Sequence, residues 1–222
     1  MGINNKISLI IFDMDGLMFD TERLNVETWI KAGETAGIKI KKQIVLESTG
    51  LDIQGAERVF KKYLGDDFPY HQMRDLRLAY LRDYIEKNGV PLKKGLYELL
   101  EYLVDKPVFK AVATSTERER TEFYLEAAGI RQEFDVIICG EDVSKGKPHP
   151  DIFLAAARKL NSKNEECLVL EDSKKGIIAA LKANMMPVLV SDSRVLEDFD
   201  GKAVKHFQNL LEVKQFLEGS NL

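Results

Sequence analysis

The run Ile7-Ser8-Leu9-Ile10-Ile11-Phe12 passes directly into Asp13-Met14-Asp15-Gly16, and this junction constrains the fold more than any other stretch. A short unbroken apolar run reads as a strand buried on both faces, as in a parallel sheet. Two carboxylates follow at its carboxyl end. Side chains at i and i+2 of an extended segment point the same way, so Asp13 and Asp15 can both aim into one crevice. Anions held that close raise each other's pKa, a conflict that a bound divalent cation would remove. Gly16 lets the backbone turn sharply just past the pair.

The rest of the chain supplies more strands of this kind. Apolar runs at Val108–Ala113, Val136–Cys139, Cys167–Leu170 and Val188–Val190 alternate with helical patterns at 117–128, 151–160 and 174–183. Such alternation predicts an α/β fold, an open, doubly wound parallel sheet with helices on both faces. The segment 18–91 differs, with helical patterns and no strand run. One helix is expected over Thr21–Thr35 and ends at Gly37. Another carries Val59, Phe60, Tyr63 and Leu64 on one face, and a long one ends near Asn88-Gly89. This shift predicts a helical domain at 18–91 inserted into a core made of 1–17 and 92–222. The tail carries two short helical patterns. Trp29, Phe19 and Tyr63 are expected in the core, where aromatic stripes usually lie.

Composition narrows the class. With 222 residues, 45% hydrophobic and 31% charged, the chain has the balance of a soluble globule. A net charge of -4 leaves no electrostatic footprint for nucleic acid or an anionic membrane. No apolar run reaches the ~20 residues of a membrane span. Met1-Gly2 looks like an acylation start, but Lys6 stands where Ser or Thr is wanted. Cys139 and Cys167 are far apart, each in or beside an apolar run, and are expected as reduced core thiols. A cytoplasmic monomer is expected.

Ligands of doubly wound sheets sit beyond the carboxyl ends of the strands, where the strand order reverses. Polar residues gather at four such ends: Asp13 and Asp15, then Thr114, then the loop reaching Lys147, then Glu171 and Asp172. Carboxylates around an oxygen-lined site suit Mg²⁺, which keeps several waters and often binds substrate phosphate. Thr114 offers a hydroxyl just before a helix start, where anions are favoured. Ser115 and Thr116 could share its work, although Thr116 and Glu119 also have capping-box spacing. Lys147 supplies a compact positive charge. His149 reads as a loop or helix-cap residue, and His71 and His206 as surface residues. Together the strand ends describe a site for a phosphate dianion held against a metal.

Asp13-Met14-Asp15-Gly16, Thr114, Lys147-Pro148 and Glu171-Asp172 resemble the four ordered motifs of the haloacid dehalogenase superfamily of hydrolases. The likeness spans essentially the whole chain. The nearest subgroup in appearance holds sugar-phosphate phosphatases and beta-phosphoglucomutase. The resemblance implies strand order 5-4-1-2-3, with a helical cap that closes over the site and reads the leaving group. It implies that Asp13 attacks phosphorus and that Asp15 protonates the leaving alcohol and then activates water. Thr114, Ser115 and Lys147 would hold the phosphoryl group. Mg²⁺ would sit on Asp13, the Asp15 main-chain carbonyl and Asp172, with Glu171 a ligand or a supporting partner. The implied substrate is a small phosphorylated metabolite. The mutase group has a histidine where this chain has Asn25, and a cap arginine where it has Ile53, with Arg58 further on. A phosphatase is therefore expected ahead of a mutase. A phospho-accepting switch protein fits poorly, because its acceptor follows a middle strand of a single small domain.

Overall fold

The computed structural model describes residues 6–49, 51, 53–192, 199 and 204–220. The Met1-Gly2 start lies outside the described residues. In chain order the elements are β1 (Leu9–Phe12), α1 (Thr21–Thr35), α2 (Lys42–Ser48), α3 (Ile53–Leu64), α4 (Tyr70–Asn88) and α5 (Leu96–Leu103). There follow β2 (Phe109–Ala113), α6 (Arg118–Ala127), β3 (Val136–Ile138), α7 (Asp151–Lys159) and β4 (Cys167–Glu171). The chain continues with α8 (Lys174–Lys182), β5 (Met186–Val190), β6 (Lys205–Phe207) and α9 (Leu210–Glu218). They form two compact units, Met1–Asp20 with Pro91–Leu222, and Thr21–Val90.

The first unit carries a parallel sheet in the order β3-β2-β1-β4-β5-β6. The order 5-4-1-2-3 is therefore present, with one more strand on the β5 edge. That strand, Lys-His-Phe, is not among the expected runs; of the two helical patterns expected in the tail α9 is one, and residues 193–198 and 200–203 lie outside the described residues. The strand is only three residues long and partly exposed, so it leaves no apolar run to read. β1 is fully buried and central. Leu9 and Ile11 pack with Ile152, Phe153, Ala156, Ala179 and Ala180 of α7 and α8. Phe12, one residue out of phase with that set, meets Phe134 edge-on with ring centroids 5.6 Å apart. Continuous apolar residues follow from this two-faced burial.

The register positions the chemistry. Phe12 pairs with Val112 of β2 and with Leu170 of β4. The ladder continues one step, as the Asp13 amide donates to the Leu170 carbonyl at 3.0 Å. Asp13 thus stands abreast of Glu171, at the reversal between β1 and β4 where such folds bind ligands. Beyond Asp13 the chain coils tightly, with the Gly16 amide on the Phe19 carbonyl at 2.9 Å and Phe19 bridged to Leu92. Met14, Leu17, Met18 and Phe19 of this coil are fully buried.

The Thr21–Val90 unit is held by an aromatic core. Trp29 stacks with Tyr70 at 5.6 Å and lies 4.3 Å from Phe60, which stacks in turn on Phe68 at 5.5 Å. Ala32, Ile44, Val45 and Met73 close around these rings. Tyr63 departs from expectation: it is exposed, and its hydroxyl donates to Glu47. Phe19 and Trp29 are buried, as expected. Among the described residues no helix is long and apolar enough to cross a membrane.

Candidate active site

Three carboxylates meet at the tips of β1 and β4. One oxygen each from Asp13, Glu171 and Asp172 lies within 4.8 Å of the others. Asp13 and Glu171 are buried and Asp172 is half-buried. Two glycines make the gathering possible. Gly16 has φ +85°, and a Cβ there would fall 1.9 Å from Asp172 Oδ2. A Cβ on Gly176 would fall 1.7 Å from Glu171 Oε1. Ser173 caps α8 by accepting from the Gly176 amide at 3.1 Å, and its hydroxyl donates to Glu171.

Lys147 enters from the loop after β3. Its ammonium donates to Asp13 Oδ1, to the Ala113 carbonyl at 3.2 Å and to Glu171 Oε2 at 3.4 Å. Its side chain is only 7% exposed, whereas neighbouring Lys145 is exposed. Burial alone would push the Lys147 ammonium down, but the Asp13 and Glu171 carboxylates outweigh it and hold it above its ordinary value. The acids respond oppositely. Burial, and then Glu171, push Asp13 well above the usual carboxylate range, although Lys147 opposes them. Burial and Glu171 likewise push Asp172 up to about 8. One ammonium does not neutralise three acids in so dry a place. A divalent cation would, and an all-oxygen donor set suits a hard one.

Asp15 lies near enough to push the Asp172 carboxyl up further. Its Oδ2 accepts from the Thr116 hydroxyl at 2.6 Å, which ties it to the residues that follow β2. Thr114 is buried at that tip, its amide on the Ile138 carbonyl at 3.0 Å and its hydroxyl accepting from the Thr116 amide at 3.1 Å. Ser115 is exposed between them. The capping-box expectation for Thr116 fails: the residue before α6 is Glu117, with no side-chain cap, and the Thr116 hydroxyl is spent on Asp15. Three successive hydroxyl residues were the signal available for Thr116; its partner lies in the coil that follows the neighbouring strand β1. His149 is exposed in the loop before α7, His71 faces Glu57 at 3.5 Å, and His206 lies on the Ser191 carbonyl. Cys139 and Cys167 are free and buried.

The family model for haloacid dehalogenase-like hydrolases matches residues 10–190. A Drosophila melanogaster protein assigned as a pseudouridine-5'-phosphatase is 32% identical over 94% of this chain and 92% of its own. A phosphorylated carbohydrates phosphatase of Thermotoga maritima is 28% identical over 79% of this chain and 81% of its own. Among solved structures, a Thermotoga maritima protein assigned as a beta-phosphoglucomutase superposes with a TM-score of 0.80. It is 26% identical, over 96% of this chain and 99% of that one. From the matched residues and these relatives, the chain belongs to the haloacid dehalogenase-like hydrolases.

Proposed function

We propose that this enzyme, a phosphoric monoester hydrolase, removes phosphate from a small sugar phosphate through an aspartyl-phosphate on Asp13. The observation that carries the reading is the buried meeting of Asp13 with Lys147, Glu171 and Asp172 at the strand reversal. A chain keeps charges so deeply buried at a cost, and the cost is characteristic of active sites.

The chemistry divides into two displacements. A carboxylate oxygen of Asp13 attacks phosphorus, and the bond from phosphorus to the ester oxygen breaks. Asp15 gives its proton to that departing oxygen, so the alcohol leaves neutral. Water then attacks the same phosphorus and passes a proton to Asp15. The bond from phosphorus to Asp13 breaks, releasing phosphate and restoring both aspartates. Lys147 and Thr114, with Ser115 at the exposed edge, hold the phosphoryl oxygens and offset their charge. Mg²⁺ held by Asp13, Asp172 and the Asp15 main-chain carbonyl would neutralise charge on the phosphoryl group, with Glu171 beside it. The Thr21–Val90 unit is assigned the role of a cap that selects the leaving group. Asn25 and Ile53 stand where a mutase would carry its histidine and arginine, which favours transfer to water.

The test is a phosphate-release screen over phosphorylated metabolites, with and without Mg²⁺, including an assay for glucose-phosphate isomerisation. Release should need Mg²⁺ and be strongest on sugar phosphates. Asp13→Asn should abolish it while the thermal transition stays cooperative. Near wild-type release from Asp13→Asn would remove Asp13 from the mechanism, and isomerisation faster than release would replace hydrolysis by the mutase reading.

A further inference from the structure

Thr116 is held by four contacts at three of its atoms. Its amide donates to Thr114 Oγ1 at 3.1 Å, and its carbonyl accepts from the Gly140 amide at 3.2 Å. Its Oγ1 lies 2.6 Å from Asp15 Oδ2 and 3.3 Å from Arg120 Nη2. The residue is buried. The direction of this short chain of hydrogen bonds follows from its ends. Arginine has no acceptor, so the guanidinium must donate into Oγ1. The hydroxyl has one hydrogen, and a carboxyl oxygen that carries no proton can only accept. The Thr116 hydrogen therefore points to Asp15.

From this we infer that Thr116 is a positioning residue: its hydroxyl, oriented by Arg120, fixes the carboxyl of Asp15 for proton transfer to and from the leaving oxygen. The inference rests on the reading of Asp15 as the proton donor. A carboxylate on a loop just past a strand has free rotation about two bonds. Proton transfer needs the acid within hydrogen-bond reach of the departing oxygen, and small misplacements cost orders of magnitude. The backbone of Thr116 is tied to the tips of β2 and β3, so its hydroxyl is a fixed point on the sheet. Because Oδ2 already accepts that hydrogen, the transferable proton belongs on Oδ1. The motif threonine Thr114 then has a second use, since its hydroxyl oxygen anchors the amide of the positioning residue.

The test compares leaving groups. A nitrophenolate departs without help, whereas an alkoxide needs a proton. The parameter is kcat/KM, which stops at loss of the leaving group and so excludes hydrolysis of the aspartyl-phosphate. For Thr116→Val, kcat/KM with glycerol 2-phosphate should fall about 10- to 100-fold, at or below the low end of general acid catalysis because the acid itself remains. With 4-nitrophenyl phosphate it should fall less than about threefold, an allowance on the same scale. Thr116→Ser, which keeps the hydroxyl, should restore most of the alkyl-phosphate activity. Asp15→Asn run beside them should show the same selectivity, and adding Thr116→Val to it should deepen that selectivity no further. Equal losses on both substrates, or no gain from serine over valine, would overturn the inference while a selective Asp15→Asn leaves the role of Asp15 standing. An unselective Asp15→Asn would overturn the role of Asp15 and the inference with it.

Discussion

The two units of this chain offer two contrasting kinds of ion pair. In the Thr21–Val90 unit two pairs lie largely in water: Lys62 with Glu47 leaves its side chains 63% and 36% exposed, and Arg23 with Glu27 leaves 50% and 51%. Stability there comes from the rings of Trp29, Phe60, Phe68 and Tyr70, which bury large apolar area. In the sheet unit Lys147 is paired with Asp13 and Glu171 at exposures of 7%, 9% and 1%. Taking those groups out of water opposes folding, and replacing them with apolar residues of similar shape would often be neutral or better. The difference teaches where selection for stability gives way to selection for chemistry. Wet pairs can be lost without consequence, whereas on the proposed mechanism the dry cluster is the part that the reaction needs.

The sharpest way to break that comparison is Lys147→Met. The variant keeps the bulk of the stem and removes the charge. Turnover should fall by roughly 10²–10³, as when one stabilising donor to a developing charge is lost. Stability of the metal-free protein should fall by about 3–5 kcal/mol, the range for breaking a buried pair. The low end is expected, because Asp13 and Asp172 already hold protons more tightly than ordinary carboxylates. Denaturant titration and steady-state kinetics measure both. A variant with full turnover would place the phosphoryl group away from Lys147.

How much of this was readable beforehand depended on distance along the chain. The acid pairs announced themselves because each follows an unbroken apolar run, which locates a strand tip without any partner. Strand order came from family likeness, since nothing in β1 alone says that it pairs with β4. Thr116 was misread as a cap because a threonine three residues before an acid has two uses. The choice between them is made by Asp15, one hundred and one positions away. Tyr63 shares helical spacing with Val59 and Phe60, yet its hydroxyl finds Glu47 at the surface. β6 escaped because an edge strand of three residues has no hydrophobic period to show.

A subtler prediction concerns pH. The native state holds a proton on Asp172 up to about pH 8, whereas in the unfolded chain it leaves near 3.9. Between those values the native state binds more protons, so metal-free protein should lose stability as pH rises. The raised Lys147 acts in the same sense, but its effect begins only above the ordinary lysine value of about 10.4, outside this window. Melting temperature in chelator should therefore decline from about pH 5 to pH 8. Saturating Mg²⁺ competes with protons for the same oxygens and should flatten or reverse the slope. A chelator-treated protein that grows more stable over that range would mean that the acids are ionised and satisfied without a cation.

The smallest effect belongs to the wet side of the comparison. Lys62 donates to Glu47 at 2.8 Å, and Glu47 also accepts from the Tyr63 hydroxyl. These contacts hold Glu47 below the usual carboxylate range and Lys62 above its ordinary value, so by geometry the pair looks strong. Its exposure argues otherwise, since water at such a site replaces almost all that the partner supplied and salt screens the rest. Lys62→Ala should leave the melting temperature and kcat/KM unchanged within error at physiological salt, with Tyr63 still bonded to Glu47. A drop of several degrees, persisting at high salt, would show that α2 and α3 depend on this bridge and that the aromatic core does not hold the helical unit by itself.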